Sequence, residues 1–153
     1  MIVLLALLIG VIAGLRAMTA PAAISWGAHL GVLNPDGTWL AFLGYTWTPW
    51  IFTLLAIGEL ISDQLPSTPS RTVPIPFGTR ILSGALCGAA IGATAGSLVI
   101  GAVAGGIGAV VGTLGGRAVR GRLAAAFGKD RPAAFIEDAV AIVGAALIVV
   151  ALA

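Results

Sequence analysis

Between Arg80 and Arg117 the chain contains no Asp, Glu, Lys or Arg, and most of its residues there are Gly, Ala, Val, Leu or Ile. A stretch this apolar is at home in lipid, where only a helix or a closed barrel can satisfy every backbone N–H and C=O. A crossing helix needs roughly 20 residues to traverse about 30 Å of hydrocarbon. Residues 79 to about 116 make nearly twice that length, so the sequence predicts two helices turning near Gly96 to Gly101, with one long tilted helix as the alternative. Composition agrees: 59% of residues are hydrophobic and only 9% charged, against roughly 25% charged in soluble domains.

Further apolar segments flank this core. Residues 1 to about 30 form a first candidate, interrupted by Arg16 and Pro21, which predicts a helix broken near Thr19. No basic residue precedes Arg16, so this segment reads as a retained helix rather than a secretory signal. After the turn residues Asn34-Pro35-Asp36-Gly37, a second span is expected from about residue 40 to 62. Pro66, Pro69, Pro74 and Pro76 then mark residues 65–76 as a loop. The last span is expected from about Pro132 to Ala153, after a basic stretch holding Arg117, Arg120, Arg122, Lys129 and Arg131.

The expected fold is therefore an all-α polytopic transmembrane helix bundle, one domain over residues 1–153, with about five spans and four as the alternative. Lys and Arg flank the second and fourth loops and are absent from the first and third, which orients the N-terminus to the cytoplasm. Trp26, Trp39, Tyr45, Trp47 and Trp50 then gather at the outer interface, as does His29. A net charge of +2 gives no basis for a nucleic-acid partner. Cys87 is the only cysteine, so neither an intrachain disulfide nor a cysteine metal knuckle is expected.

Gly84, Gly88, Gly92 and Gly96 repeat every four residues, and Gly101 with Gly105, then Gly108, Gly112 and Gly116, continue the spacing. Residues four apart share a helix face. Each ladder is thus a groove without side chains, against which another backbone can pack closely. The expected partners are the third and fourth helices, or a second copy of the chain.

Ionisable residues inside a span cost on the order of 3 kcal/mol at the helix centre, so they mark candidate functional positions. These are Arg16 in the first segment, Glu59 and Asp63 at the end of the second, Arg80, Arg117, and the pair Glu137 and Asp138. They suit either a polar pathway for a solute or ion, or a set of ion pairs that fixes helix register. No nucleophile–base–acid set, phosphate loop or metal-ligand spacing is visible, so an enzyme, a metal or a cofactor is not expected. Gly14-Leu15-Arg16-Ala17 recurs as Gly115-Gly116-Arg117-Ala118, which admits a weak inverted repeat relating the first and fourth helices.

The segments Gly14-Leu15-Arg16-Ala17, Glu59-Leu60-Ile61-Ser62-Asp63-Gln64-Leu65-Pro66 and Arg80-Ile81-Leu82-Ser83-Gly84, with Glu137-Asp138, resemble a bacterial family of small polytopic membrane proteins classed as a domain of unknown function. Where the family pattern has Lys after the Asp, this chain has Gln64. The resemblance implies a single domain in a bacterial inner membrane and supplies no activity. The leading functional expectation is a small transporter or channel for a solute or ion, as a homodimer in the lipid bilayer. A non-transporting protein packed through its glycine ladders and a lipid-moving protein are the alternatives.

Overall fold

The small-residue core folds as two helices, and their packing organises the rest of the molecule. In the computed structural model, which describes residues 1–65 and 70–153, α1 is Ile2–Leu15, α2 Thr19–His29, α3 Thr48–Ser62, α4 Pro74–Ala93, α5 Leu98–Phe127 and α6 Asp130–Leu152. A short 3-10 helix, Trp39–Gly44, links α2 to α3.

The α4–α5 turn falls at residues 94–97, just ahead of the expected position. Gly96 does not extend the ladder; it takes φ +65 and reverses the chain, while the Ser97 N–H closes the turn on the Gly92 carbonyl at 2.9 Å. The remaining glycines mesh two backbones. A Cβ on Gly88 would run into the Gly101 carbonyl, one on Gly92 into Ser97, and one on Gly105 into the Gly84 carbonyl. Further along the same face of α5, α1 packs in turn: Gly108 abuts Leu7, Gly112 abuts Val11, and Gly10 abuts Gly105. Backbone contact with both α4 and α1 along one glycine face makes α5 the centre of a three-helix wedge, a role for α1 that the ladder spacing did not announce.

These contacts also fix direction. Leu7 meets Gly108 and Val11 meets Gly112, so α1 and α5 run parallel. The Arg16 and Arg117 segments are consequently not an inverted pair. Along α6, Glu137 neighbours Gly116, Gly144 meets Ile12 and Val149 meets Gly27. Moving down α6 therefore retraces α1 but follows α2 forwards, which means that α2 runs back alongside the bundle. The expected single crossing over residues 1–30 is instead a helical hairpin, reversed at Arg16 in an extended conformation (φ -140, ψ 110). Consecutive helices alternate in direction, and Met1 and Ala153 lie at the same end, whereas five spans would separate them.

Other boundaries shift for local reasons. The second segment begins as a 3-10 turn, with α3 starting only at Thr48 and Pro49 in its first turn, where a missing N–H costs nothing. Pro74 and Pro76 likewise open α4 instead of lying in the expected loop; Pro66 and Pro69 fall outside the described residues. The basic stretch is mostly helical, since α5 continues to Phe127 and only Gly128 and Lys129 separate it from α6.

The helices α4, α5 and α6 are each long and apolar enough to cross a membrane, while α1 and α3 are shorter apolar helices. Leu54, Leu82, Val99, Leu147 and Val150 point outward, a surface that lipid covers and water would not. This is a helical membrane protein. Trp39, Tyr45, Trp47 and Trp50 are exposed at the end that carries Met1 and Ala153, and the Arg and Lys side chains gather at the other.

Candidate functional site

A hairpin buried among helices strands backbone groups. The last carbonyls of α1 and the N–H groups of Ala17 and Met18, which lead into α2, have no partner within either helix. Side chains from elsewhere supply them. Arg80 of α4 donates from Nη1 to the Gly14 carbonyl (3.0 Å) and the Leu15 carbonyl (2.7 Å). Thr113 adds its hydroxyl to Gly14 at 3.2 Å, and the Ser83 hydroxyl donates to the Ala17 carbonyl. Glu59 of α3 accepts the Ala17 and Met18 N–H groups, both at 2.8 Å. Each charge has the sign that the helix macrodipole favours, cation at a C-terminus and anion at an N-terminus. The two capping groups themselves lie 3.5 Å apart.

Arg16 occupies the reversal and is 0% exposed. Its Nη1 lies 2.7 Å from Asp63 Oδ2, and its Nε donates to Asp138 Oδ1 at 2.6 Å. Nη2 also lies 2.6 Å from Asp138 Oδ1 and 3.5 Å from Glu137 Oε2. It lies off the line of a directed hydrogen bond, so these two contacts are Coulombic. Thr19 Oγ1 and Arg80 Nε are buried at the same reversal without a hydrogen-bond partner among the described residues.

A second tier encloses this one. Arg71 grips Glu137 with both terminal nitrogens, at 2.5 and 2.9 Å. Arg120 bridges Asp63 at 2.7 Å and Asp130 at 2.6 Å. Gln64 donates to Asp138 at 3.2 Å, so its amide reaches the cluster. Burial alone would raise the Asp63 carboxyl, but Arg16, Arg120 and Arg71 outweigh it and hold the group below its ordinary value. Burial works against the Arg71 charge too, and Glu137 more than compensates, raising it.

The structure thus joins six of the seven residues singled out from sequence: Arg16, Glu59, Asp63, Arg80, Glu137 and Asp138. Arg117 does not join them; it is exposed and donates to Thr72 Oγ1 at 3.2 Å. Arg71, Arg120 and Asp130 were missed. Arg120 had a signal, because it lies four residues beyond Gly116 and so continues the ladder face onto the cluster. Arg71 had none, since it reaches Glu137 from an irregular proline-rich segment.

Beyond the second tier lies a cavity of about 830 Å³, with Asp63, Arg71 and Arg120 in its wall and Arg117, Lys129 and Arg131 at its exposed rim. Fold and cluster together define a small all-α membrane bundle whose reversed first hairpin is pinned by ionisable side chains at one end. No protein-family model, curated protein or solved structure matches this chain.

Proposed function

We propose that this protein is a small membrane transporter or channel for a solute or ion. The observation that carries the reading is the α1–α2 reversal, whose facing helix ends are held by the ionisable side chains of Arg80 and Glu59. Interrupted helices whose ends meet charged groups are a recurrent way to build a transport site within a membrane. Glu59 sits at the entry to α2 where a transported anion would bind in such a site, and an exchange that releases it would free the start of α2.

The resemblance to the bacterial family belongs to the same proposal, and it gains support from convergence. Motif residues from four distant segments meet in one cluster. In this reading the membrane is the bacterial inner membrane, and the transporting unit is a homodimer, because a 15.2 kDa bundle encloses little volume. In this reading the positive-inside rule would put the basic end in the cytoplasm, and both termini, at the other end of the bundle, would then face outward.

The test is flux into proteoliposomes, with entrapped dyes reporting protons and chloride and swelling reporting neutral solutes. The reading expects at least one flux above protein-free vesicles that Glu59→Gln abolishes while the variant still folds. The close pairing of the cluster favours one competing role, a brace that only fixes helix register. Absence of every flux in the panel, or equal flux in native protein, Glu59→Gln and Arg16→Ala with reduced stability in the variants, would establish the brace and end the transport reading.

A further inference from the structure

The cluster leaves one group of charges unused. Arg71 and Arg120 are matched by Glu137, Asp63 and Asp130. Among the described residues, Arg117, Lys129 and Arg131 make no ion pair, and the undescribed residues 66–69 contain no acid. All three line the cavity of about 830 Å³. Its wall therefore carries five cationic side chains against the two carboxylates of Asp63 and Asp130, both of which are already held by Arg120. The N-terminus of α6 begins in the same wall at Asp130, with no side chain capping its first N–H groups. That end adds partial positive charge of its own.

A second hollow adjoins the first. A groove of about 310 Å³ between α5 and α6 is lined by apolar side chains including Val119, Leu123, Ile136 and Val140. Arg120 lines both hollows. At about 1.5 Å per residue, the 30 residues of α5 exceed the hydrocarbon thickness of about 30 Å. The basic end of α5 therefore projects to headgroup depth, while the groove runs back along the part in hydrocarbon.

We infer that the cavity and groove together bind an anionic phospholipid, with the phosphate and any further headgroup charge in the basic cavity and an acyl chain in the groove. The shared chemistry is a phosphate group, and the apolar groove beside it assigns that phosphate to a lipid rather than to free phosphate. This site does not depend on the transport reading, because the three cations it draws on, Arg117, Lys129 and Arg131, are the ones the hairpin cluster leaves unpaired.

The experiment titrates full-length protein in neutral detergent with short-chain phosphatidylglycerol, short-chain phosphatidylcholine and inorganic phosphate, reading binding by isothermal calorimetry. Saturable phosphatidylglycerol binding, with the other two weaker by roughly tenfold or more, is expected. Combining Arg117→Gln, Lys129→Gln and Arg131→Gln removes three exposed charges and should weaken phosphatidylglycerol roughly a hundredfold without lowering the Tm. Gly115→Leu offers an independent check, since Gly115 lines the groove and a Cβ there meets nothing within 4 Å. It should weaken the lipid and leave phosphate unchanged. Equal affinity for phosphatidylglycerol and phosphatidylcholine, equal affinity for phosphatidylglycerol and phosphate, or indifference of lipid binding to the triple variant would each overturn the inference.

Discussion

Arg16 shows why the cluster needs a guanidinium. Its rigid fork reaches Asp63 and Asp138 in different directions while Nη1 also donates to the Leu15 carbonyl at 3.0 Å. A lysine ammonium, a point charge on a flexible stem, cannot hold that set at once. Asp63 is the shared acceptor, touched by both Arg16 and Arg120, and this makes it sensitive to acid. Because the folded state holds its pKa below the ordinary 3.8, the unfolded chain binds this proton more readily. The stabilisation is complete above the ordinary value and is lost as pH falls through it towards the folded value. Thermal unfolding in detergent micelles, followed from neutral pH to about pH 3, should show native protein losing stability on acidification. Asp63→Asn should be less stable at neutral pH and lose less on acidification. Parallel curves for the two proteins would mean that Asp63 is not the titrating contact.

At the scale of elements, the glycine ladder was legible because four-residue spacing dictates a face, and the face is what packs. What spacing cannot state is how many partners the face has. Gly10 and Gly14 repeat the interval on α1 and pack on the same glycine face of α5, yet two glycines in a short apolar run carry little weight in a sequence this rich in them. The hairpin was hidden for a different reason. Hydropathy measures apolar length and is blind to direction, so a kink and a reversal at Arg16 have the same composition. Arg71 was illegible because its partner Glu137 lies far along the chain and no periodicity links them. The packing itself yields a paired test. Gly88→Ala forces a Cβ into the Gly101 backbone, which has no rotamer to yield, and should cost about 1–3 kcal/mol. Gly78→Ala on the same helix meets nothing within 4 Å and should gain about 0.5–1 kcal/mol from helix propensity. Unfolding of both variants in sodium dodecyl sulfate titrations measures the difference, and equal effects would show that α4 and α5 do not touch backbone to backbone.

Across the whole molecule, basic side chains and tryptophans sort to opposite ends. Arg71, Arg117, Arg120, Arg122, Lys129 and Arg131 crowd the end where α1 turns into α2, and the exposed Trp39 and Trp47 mark the other. The orientation proposed above puts the basic end inward. With the hairpin in place, this orientation carries a consequence that a five-span chain would not share: the residue after Met1, the Asn34–Gly37 turn and Ala153 all face outward together. A cysteine inserted directly after Met1, Asp36→Cys and Arg122→Cys separate the cases, because native Cys87 is buried and contributes no background to a membrane-impermeant maleimide. In intact bacterial cells the first two should label and Arg122→Cys should label only after permeabilisation. In a five-span chain, Asp36→Cys would still label from outside while the N-terminal cysteine stayed protected until lysis. The N-terminal cysteine is therefore the decisive position, since its protection alone would return α1 and α2 to a single crossing and take the buried reversal away from the transport reading.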